Sequence, residues 1–351
     1  MSGAAPAHWV RQALDPVRAY GAPPARGRLR AVPEDFIVDE QLGFEPDGDG
    51  SHWLLRVRKR GANTEYVARE LARHAGAALR EVGFAGLKDR HAVATQWFTV
   101  PRGQGAVAAQ WPVLHHAEFE VVEVHAHRRK LRRGALSGNA FRVRIRDCAG
   151  DRAAIGQRLA GIGERGAPNY FGEQRFGREG HNLQRVAAWV GGGRLPADRG
   201  QRSFTLSAAR SLIFNAILQA RVHDGTWDRL LAGDVANLDG SGSVFPVSEV
   251  DDTLAARAHA LDVHPTAPLW GSGTAMSAGA VHELEETTAR SFEPLPSLLA
   301  AAGASAERRS LRVKVAGLQA TWEHDDLLLA FRLPPGAFAT TVLRECLEAP
   351  Q

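Results

Sequence analysis

Phe141-Arg142-Val143-Arg144-Ile145-Arg146 alternates three apolar residues with three arginines. A period of two puts successive side chains on opposite sides of an extended backbone, so this stretch predicts a strand with one buried face and one arginine-lined face. Working outward, Asp35–Glu40, Trp53–Arg58, Thr95–Val100 and Glu118–Val124 read as further strands; in the second of these Trp53, Leu55 and Val57 share a face. One helix fits Glu65–Leu79, where Val67, Leu71, Ala75 and Ala78 form a stripe and Thr64 stands at the N-cap. Turns rather than helical crossovers separate most of these strands. That predicts a mixed, largely antiparallel sheet of the α/β (α+β) class.

From Gly161 the texture changes to mainly helical, most clearly in Ser207–Val222, where Leu212, Ile213, Ala216, Ile217 and Ala220 make one apolar stripe. Strand character returns at Leu311–Val315, Ala320–Glu323 and Leu327–Leu333, the last two around a His324-Asp325-Asp326 turn, and Thr340–Leu347 reads as a final helix. A helix-rich block between strand-rich ends reads as an insertion into one sheet. The expected organisation is therefore 1–164 and 313–351 as the two parts of one domain, with 165–312 inserted between them.

The chain has 351 residues, enough for about two domains at roughly 150 residues each. Apolar residues at 44% and charged ones at 23% describe a globular protein rather than a disordered one. The longest uncharged stretch, Val263–His282, is broken by Pro265 and Pro268 and does not read as a membrane span. Arg11, Asp15 and Arg18 in the first twenty residues, without an apolar block, do not read as a secretory signal. Two isolated cysteines, Cys148 and Cys346, exclude a disulfide scaffold and a four-cysteine zinc site, and suit a reducing cytoplasm.

Net charge is only +4, yet the basic residues cluster. Arg56, Arg58, Lys59 and Arg60 form one knot; His127 to Arg133 form a second; Arg142, Arg144 and Arg146 form a third. Either these are solvated faces or they form a surface for a polyanion, and three such segments within ninety residues favour the polyanion. No lysine follows a glycine as in a P-loop, Gly103–Ala108 reads as loop rather than dinucleotide fingerprint, and His116-Ala-Glu118 lacks a following Pro-Cys-x-x-Cys. His282-Glu283 has no second histidine, and there is no Gly-x-Ser-x-Gly elbow. Chemistry run by side chains, with neither metal nor cofactor, is the expectation.

Phe84 to Gln96 is the most concentrated polar segment between apolar strands, and Asp89 stands within it between Lys88 and Arg90. Flanking cations favour the carboxylate anion, suiting a nucleophile or base; the plain alternative is an ion-paired turn aspartate. Asn139 follows a glycine turn and can both donate to and accept from a base edge. Phe141 alternates with core residues. Asn169–Gly177 packs three aromatics and two glycines into nine residues, as a nucleic-acid clamp or as an aromatic wedge in an interdomain core.

These segments, in this order, resemble the tRNA pseudouridine synthase D (TruD) family. Pro33-Glu-Asp35-Phe36-Ile-Val38-Asp-Glu40 is similar to its opening motif, and Gly86-x-Lys88-Asp89-Arg90-x-Ala92-x-x-x-Gln96 to its catalytic motif. Lys130-Leu-Arg132-x-Gly134-x-Leu136-x-Gly138-Asn139-x-Phe141 and Pro168-Asn-Tyr-Phe-Gly-x-Gln-Arg-Phe-Gly177 resemble the next two. Ser207-Ala-Ala-Arg210-Ser-x-x-Phe214-Asn215 and Pro335-Gly-x-Phe338-Ala-Thr340 match later segments, so the likeness spans about residues 29–347. Ala94 departs from the threonine that relatives often carry there. The resemblance implies a pseudouridine-synthase catalytic domain with a helical insertion, cofactor-free isomerisation of uridine at tRNA position 13, and Asp89 as the essential carboxylate. It implies that Phe36, Asn139 and Phe338 line the uridine, with Lys88 and Phe141 beside them. A tRNA partner, no membrane, no obligatory protein partner and a monomeric cytoplasmic enzyme complete the expectation.

Overall fold

The alternation at 141–146 is realised inside a longer strand, Gly138–Gly150, whose neighbours explain why it is long: it receives three other strands along its length. The structure, a computed structural model, describes residues 6–103, 111, 115–177 and 180–348. Most of the segment Gly103–Ala108, read above as loop, lies outside the described residues. The chain divides into two units, a sheet unit of 24–156, 316–336 and the C-terminal residues, and a helical unit of 1–23, 157–315 and 337–347.

In the sheet unit the longer strands are β1 (Ala25–Leu29), β2 (Phe36–Gln41), β3 (His52–Arg60), β4 (Val93–Pro101), β5 (Phe119–His127), β6 (Gly138–Gly150), β7 (Ala316–Glu323) and β8 (Asp326–Leu333). Their hydrogen-bonded order is β7-β8-β6-β2-β4-β3-β5, with β1 on β6. Pairing is antiparallel except between β2 and β4, which run parallel. The chain leaves this sheet after β6 and returns to it at β7, so strands remote in sequence lie side by side. A single helix, α1 (Thr64–Ala75), packs Val67, Ala68 and Leu71 against Leu55, Val57 and Phe98. It is capped by Asn63, whose side chain accepts from the Tyr66 amide, and not by Thr64 as expected. It also stops short of Leu79, because Gly76 turns left-handed at φ 63°.

In the helical unit the longest element is α2 (Arg199–His223), whose middle, Ser211–Leu218, is buried all round because neighbours cover it on several sides. Asn215 on α2 accepts from the Phe171 amide and donates to the Phe171 carbonyl, which fixes the Asn169–Gly177 loop. Tyr170, Phe171 and Phe176 are buried in this unit's own core, so they are core aromatics as the wedge reading had it, but of one unit rather than of an interdomain core. A four-stranded sheet (Val244–Pro246, Val235–Leu238, Val263–Leu269, Glu307–Ser310) also lies here, which the mainly helical reading missed. These strands are short and carry prolines and charges at positions where alternation would have to show.

The unit boundaries differ from the expected 1–164, 165–312 and 313–351. Residues 1–23 and 337–347 fall with the helical unit. Trp9 and Ala13 are buried in its core, and the Glu345 carboxylate accepts from the amides of Ala19 and Tyr20 at 2.9 and 3.2 Å. The last helix is five residues, Ala339–Leu343, rather than reaching Leu347.

Candidate active site

Residues directly opposite each other in a sheet share a face. Lys59 on β3 faces Ala94 on β4, Ala94 faces Val38 on β2, and Val38 faces Phe141 on β6. This row, continued by Phe331 on β8, forms the front face, and the loop carrying Asp89 is tied to its Lys59 end. Arg142 and Arg144 alternate to the back face, as do Arg56, Arg58 and Asp39.

The Asp89 loop is held almost residue by residue from beneath. The Gln96 amide donates to the Gly86 carbonyl at 2.6 Å, and the Thr64 hydroxyl accepts from the Lys88 amide at 2.9 Å while donating to Gln96 at 3.0 Å. Lys59 is fully buried, and its ammonium donates to the carbonyls of Ala62 and Asp89, each at 2.7 Å. Burial pushes the Lys59 ammonium down to about 8, against the pull of the nearby Asp89 charge. Arg90 donates to the Gly61 carbonyl at 2.7 Å. Lys59, Gln96 and Arg90 thus each donate to a backbone carbonyl that would otherwise need another partner.

The charge around Asp89 is arranged differently from its sequence neighbourhood. Lys88 turns away to the buried carboxylate of Glu40, which also accepts from the Trp97 amide at 3.2 Å. Arg90 is engaged with Gly61, so neither flanking cation pairs with the Asp89 carboxylate. Among the described residues it is Arg30 that brings a cation to Asp89, its Nη1 3.1 Å from Asp89 Oδ2, while the His91 amide donates to Oδ1 at 3.0 Å. The Arg30 guanidinium also lies over the Phe36 ring, 4.2 Å from its centroid. Arg30 adopts φ 56°, a left-handed conformation that a non-glycine residue takes at some cost, and such residues concentrate at functional sites.

Asp89, Arg30 and Phe36 are thus brought together. Phe36 is only 4% exposed, with Phe141 edge-on at 6.1 Å, and Phe141 in turn stacks on Phe331 at 5.3 Å. Just before Phe36, Asp35 is buried against Arg146; burial alone would raise its carboxyl, but hydrogen bonds from Arg146 and the Val32 amide hold it below the usual range. Asn139 sits opposite Glu40 on β6, and its buried Oδ1 has no hydrogen-bond partner among the described residues. The glycine before it is required, since a Cβ at Gly138 would lie 2.4 Å from the Leu333 carbonyl oxygen. Phe338 belongs to the helical unit, where it is half-buried and meets Phe171 edge-on at 6.3 Å. Among the described residues no three His, Cys, Asp or Glu side chains gather as a metal site would require.

The model of the family described as tRNA pseudouridine synthase D (TruD) matches residues 17–195 and 197–346. The chain belongs to this family. It is 46% identical over 344 residues to the tRNA pseudouridine synthase D of Xanthomonas euvesicatoria, covering 93% of each chain. Against the proteins of the same name in Methylococcus capsulatus and Pseudomonas fluorescens, identity is 43% and 44%; the matches cover 94% of both chains in the first and 96% and 95% in the second. A crystal structure described under the TruD name, from Methanosarcina mazei, shares the fold at a TM-score of 0.73 and 22% identity, over 95% of this chain and 96% of that one.

Two parts of the candidate site escaped the sequence reading. Arg30 precedes the opening motif by three residues, and no local spacing shows that it folds back to a carboxylate 59 positions away. Lys59 was grouped with a surface knot, yet it is buried beneath the catalytic-motif loop. The available clue was its place in the alternation: Lys59 follows Trp53, Leu55 and Val57 on the apolar phase of β3, whereas Arg56, Arg58 and Arg60 occupy the other phase.

Proposed function

We propose that the chain is a cofactor-free tRNA pseudouridine synthase that isomerises uridine at position 13, with Asp89 as the catalytic carboxylate. The observation that carries this reading is the Asp89 carboxylate held against Arg30 on a loop immobilised by Lys59, Thr64 and Gln96. The reaction breaks the bond from ribose C1′ to uracil N1 and joins C1′ to C5; C5 loses a proton and N1 gains one. It is redox-neutral and transfers no phosphate. A carboxylate side chain held beside a guanidinium suits attack on or proton abstraction from the nucleoside.

A base within folded tRNA must leave its stack to reach such a carboxylate, at a cost of a few kcal/mol that pocket contacts offset. The unpartnered Asn139 Oδ1 suits the N3–H of uracil, which would satisfy both groups. Phe36 has little exposed area of its own, and its contribution is to wall the pocket and carry Arg30. Lys88 acts through Glu40 rather than as a free cation. For Phe338 the family likeness assigns a uridine contact, to be checked by its own alanine substitution.

The test is to incubate unmodified tRNA carrying uridine at position 13 with the protein alone and map pseudouridine along it. Modification at 13, lost when that uridine is replaced by cytidine, is the expected result. Pseudouridine only at other positions would refute the positional assignment, and none anywhere would refute the activity.

A further inference from the structure

We infer that an open groove in the sheet unit, over the segment His127–Arg133, is a second RNA site that takes an unpaired stretch of the substrate, phosphates on arginine and a base on Phe44. The inference rests on the reading of the chain as an RNA-modifying enzyme. The groove has a volume of about 1170 Å³, and its lining shares no residue with Asp89, Arg30, Phe36 or Asn139. It therefore binds something other than the reacting uridine.

Its charge is one-sided. Arg128, Arg129, Lys130, Arg132 and Arg133 line it against two carboxylates, Glu45 and Asp47. Arg128 is partly neutralised by Asp49 at 2.8 Å, and Lys130 donates to the Arg80 carbonyl. Arg129 and Arg132 are exposed and form no ion pair among the described residues. An exposed arginine without a counterion beside others like it is electrostatically unfavourable until an anion arrives, which favours a polyanion as the occupant.

The groove also carries aromatic surface. Phe44 is 38% exposed and stacked on His127, with centroids 5.2 Å apart and planes 15° from parallel. The Arg133 guanidinium lies 3.9 Å from the centroid of the Phe84 ring. An acidic peptide would use the cations and leave the ring idle. A duplex would offer phosphates but keep its bases stacked within itself. A single strand uses both, since any unstacked base presents a π face. The floor is rigid enough for such a role: buried Leu131 packs with Leu54 and Trp97, its amide donates to Thr99 at 2.9 Å, and Gly83 lets the Leu131 carbonyl approach where a Cβ would sit 2.6 Å away.

The test uses a fluorescein-labelled octamer of adenylate, which contains no uridine and cannot be a substrate, and reads anisotropy with the full chain across a salt series. Phe44→Ala should weaken binding about tenfold without changing the salt slope, and Phe44→Trp should restore it. Replacing Arg129 and Arg132 together with alanine should lower the slope of log K against log salt by about 1.4, at roughly 0.7 per phosphate released on a single strand. Equal affinity of all three variants, equal binding of a duplex of the same length, or equal displacement by octaglutamate would each overturn the inference. Pseudouridine formation is scored separately. A chain that isomerises tRNA but ignores the octamer defeats this inference alone, whereas one that binds the octamer without turnover defeats the catalytic reading alone.

Discussion

The segments Arg56–Arg60 and His127–Arg133 look alike as sequence and differ in almost everything else. In the first, Arg56 pairs with Asp39 and Glu123, Arg58 with Glu120 and Arg60 with Glu34, while Lys59 is buried. On β6, Arg144 meets Glu323 and Asp326 and Arg146 meets Asp35, while Arg142 is exposed with no ion pair among the described residues. In the second segment Arg129, Arg132 and Arg133 stand exposed with no carboxylate partner among the described residues. Strand register makes part of the difference, because it sets Glu123 and Glu120 of β5 directly across from Arg56 and Arg58 on β3. The back of the sheet is thus largely self-neutralised. The expectation that all three basic clusters face a polyanion holds only as a proposal for the second.

The comparison can be broken most severely at Lys59. Lys59→Met leaves the carbonyls of Ala62 and Asp89 without their donor, and should cost about 3 kcal/mol of stability in urea unfolding. Turnover should drop by at least tenfold, with tRNA affinity little altered. A pH series adds a second readout. The unfolded lysine, near 10.4, holds its proton over a range where the folded one, at about 8, has released it, so stability should climb with pH between those values. The methionine variant should lack that rise. Lost tRNA affinity with unchanged stability would return Lys59 to the surface knot.

A smaller effect should separate the two arginine sets. Replacing Arg129, Arg132 and Arg133 with alanine should weaken tRNA binding and flatten its salt dependence by about two units, at roughly 0.7–0.9 per phosphate contact. Replacing Arg58, whose ion pair with Glu120 is exposed, should leave the slope within error and change stability by no more than about 1 kcal/mol. Similar slopes in both variants would mean that paired and unpaired arginines bind RNA alike, and the contrast would fail.

Much of the sheet was legible because strand alternation is local: the five expected first-half strands all overlap observed ones. The polar loop between them singled out Asp89 only as one of two readings, and its catalytic role came from the family resemblance. What sequence did not reveal are partners set by register and by chain return. Arg30 and Asp89, Lys88 and Glu40, and the cross-strand carboxylates all join residues far apart in the chain. The flanking cations of Asp89 illustrate the point, since adjacency in sequence suggested its charge partners and the backbone directs both elsewhere. The Asn169–Gly177 aromatics were ambiguous for the same reason: only Asn215, on a helix 44 residues away from Phe171, decides that they are core.

The central claim is that Asp89 does the chemistry while other groups hold the RNA. Asp89→Asn keeps the shape of the side chain and removes its negative charge. Pseudouridine formation in tRNA and tRNA affinity, measured on the same preparation, test the claim most directly. The account predicts no detectable pseudouridine, affinity within about threefold of the parent, and an unchanged melting curve, because an interaction needed only for chemistry lowers turnover without lowering binding. Substantial residual turnover, or the loss of folding together with binding, would contradict it.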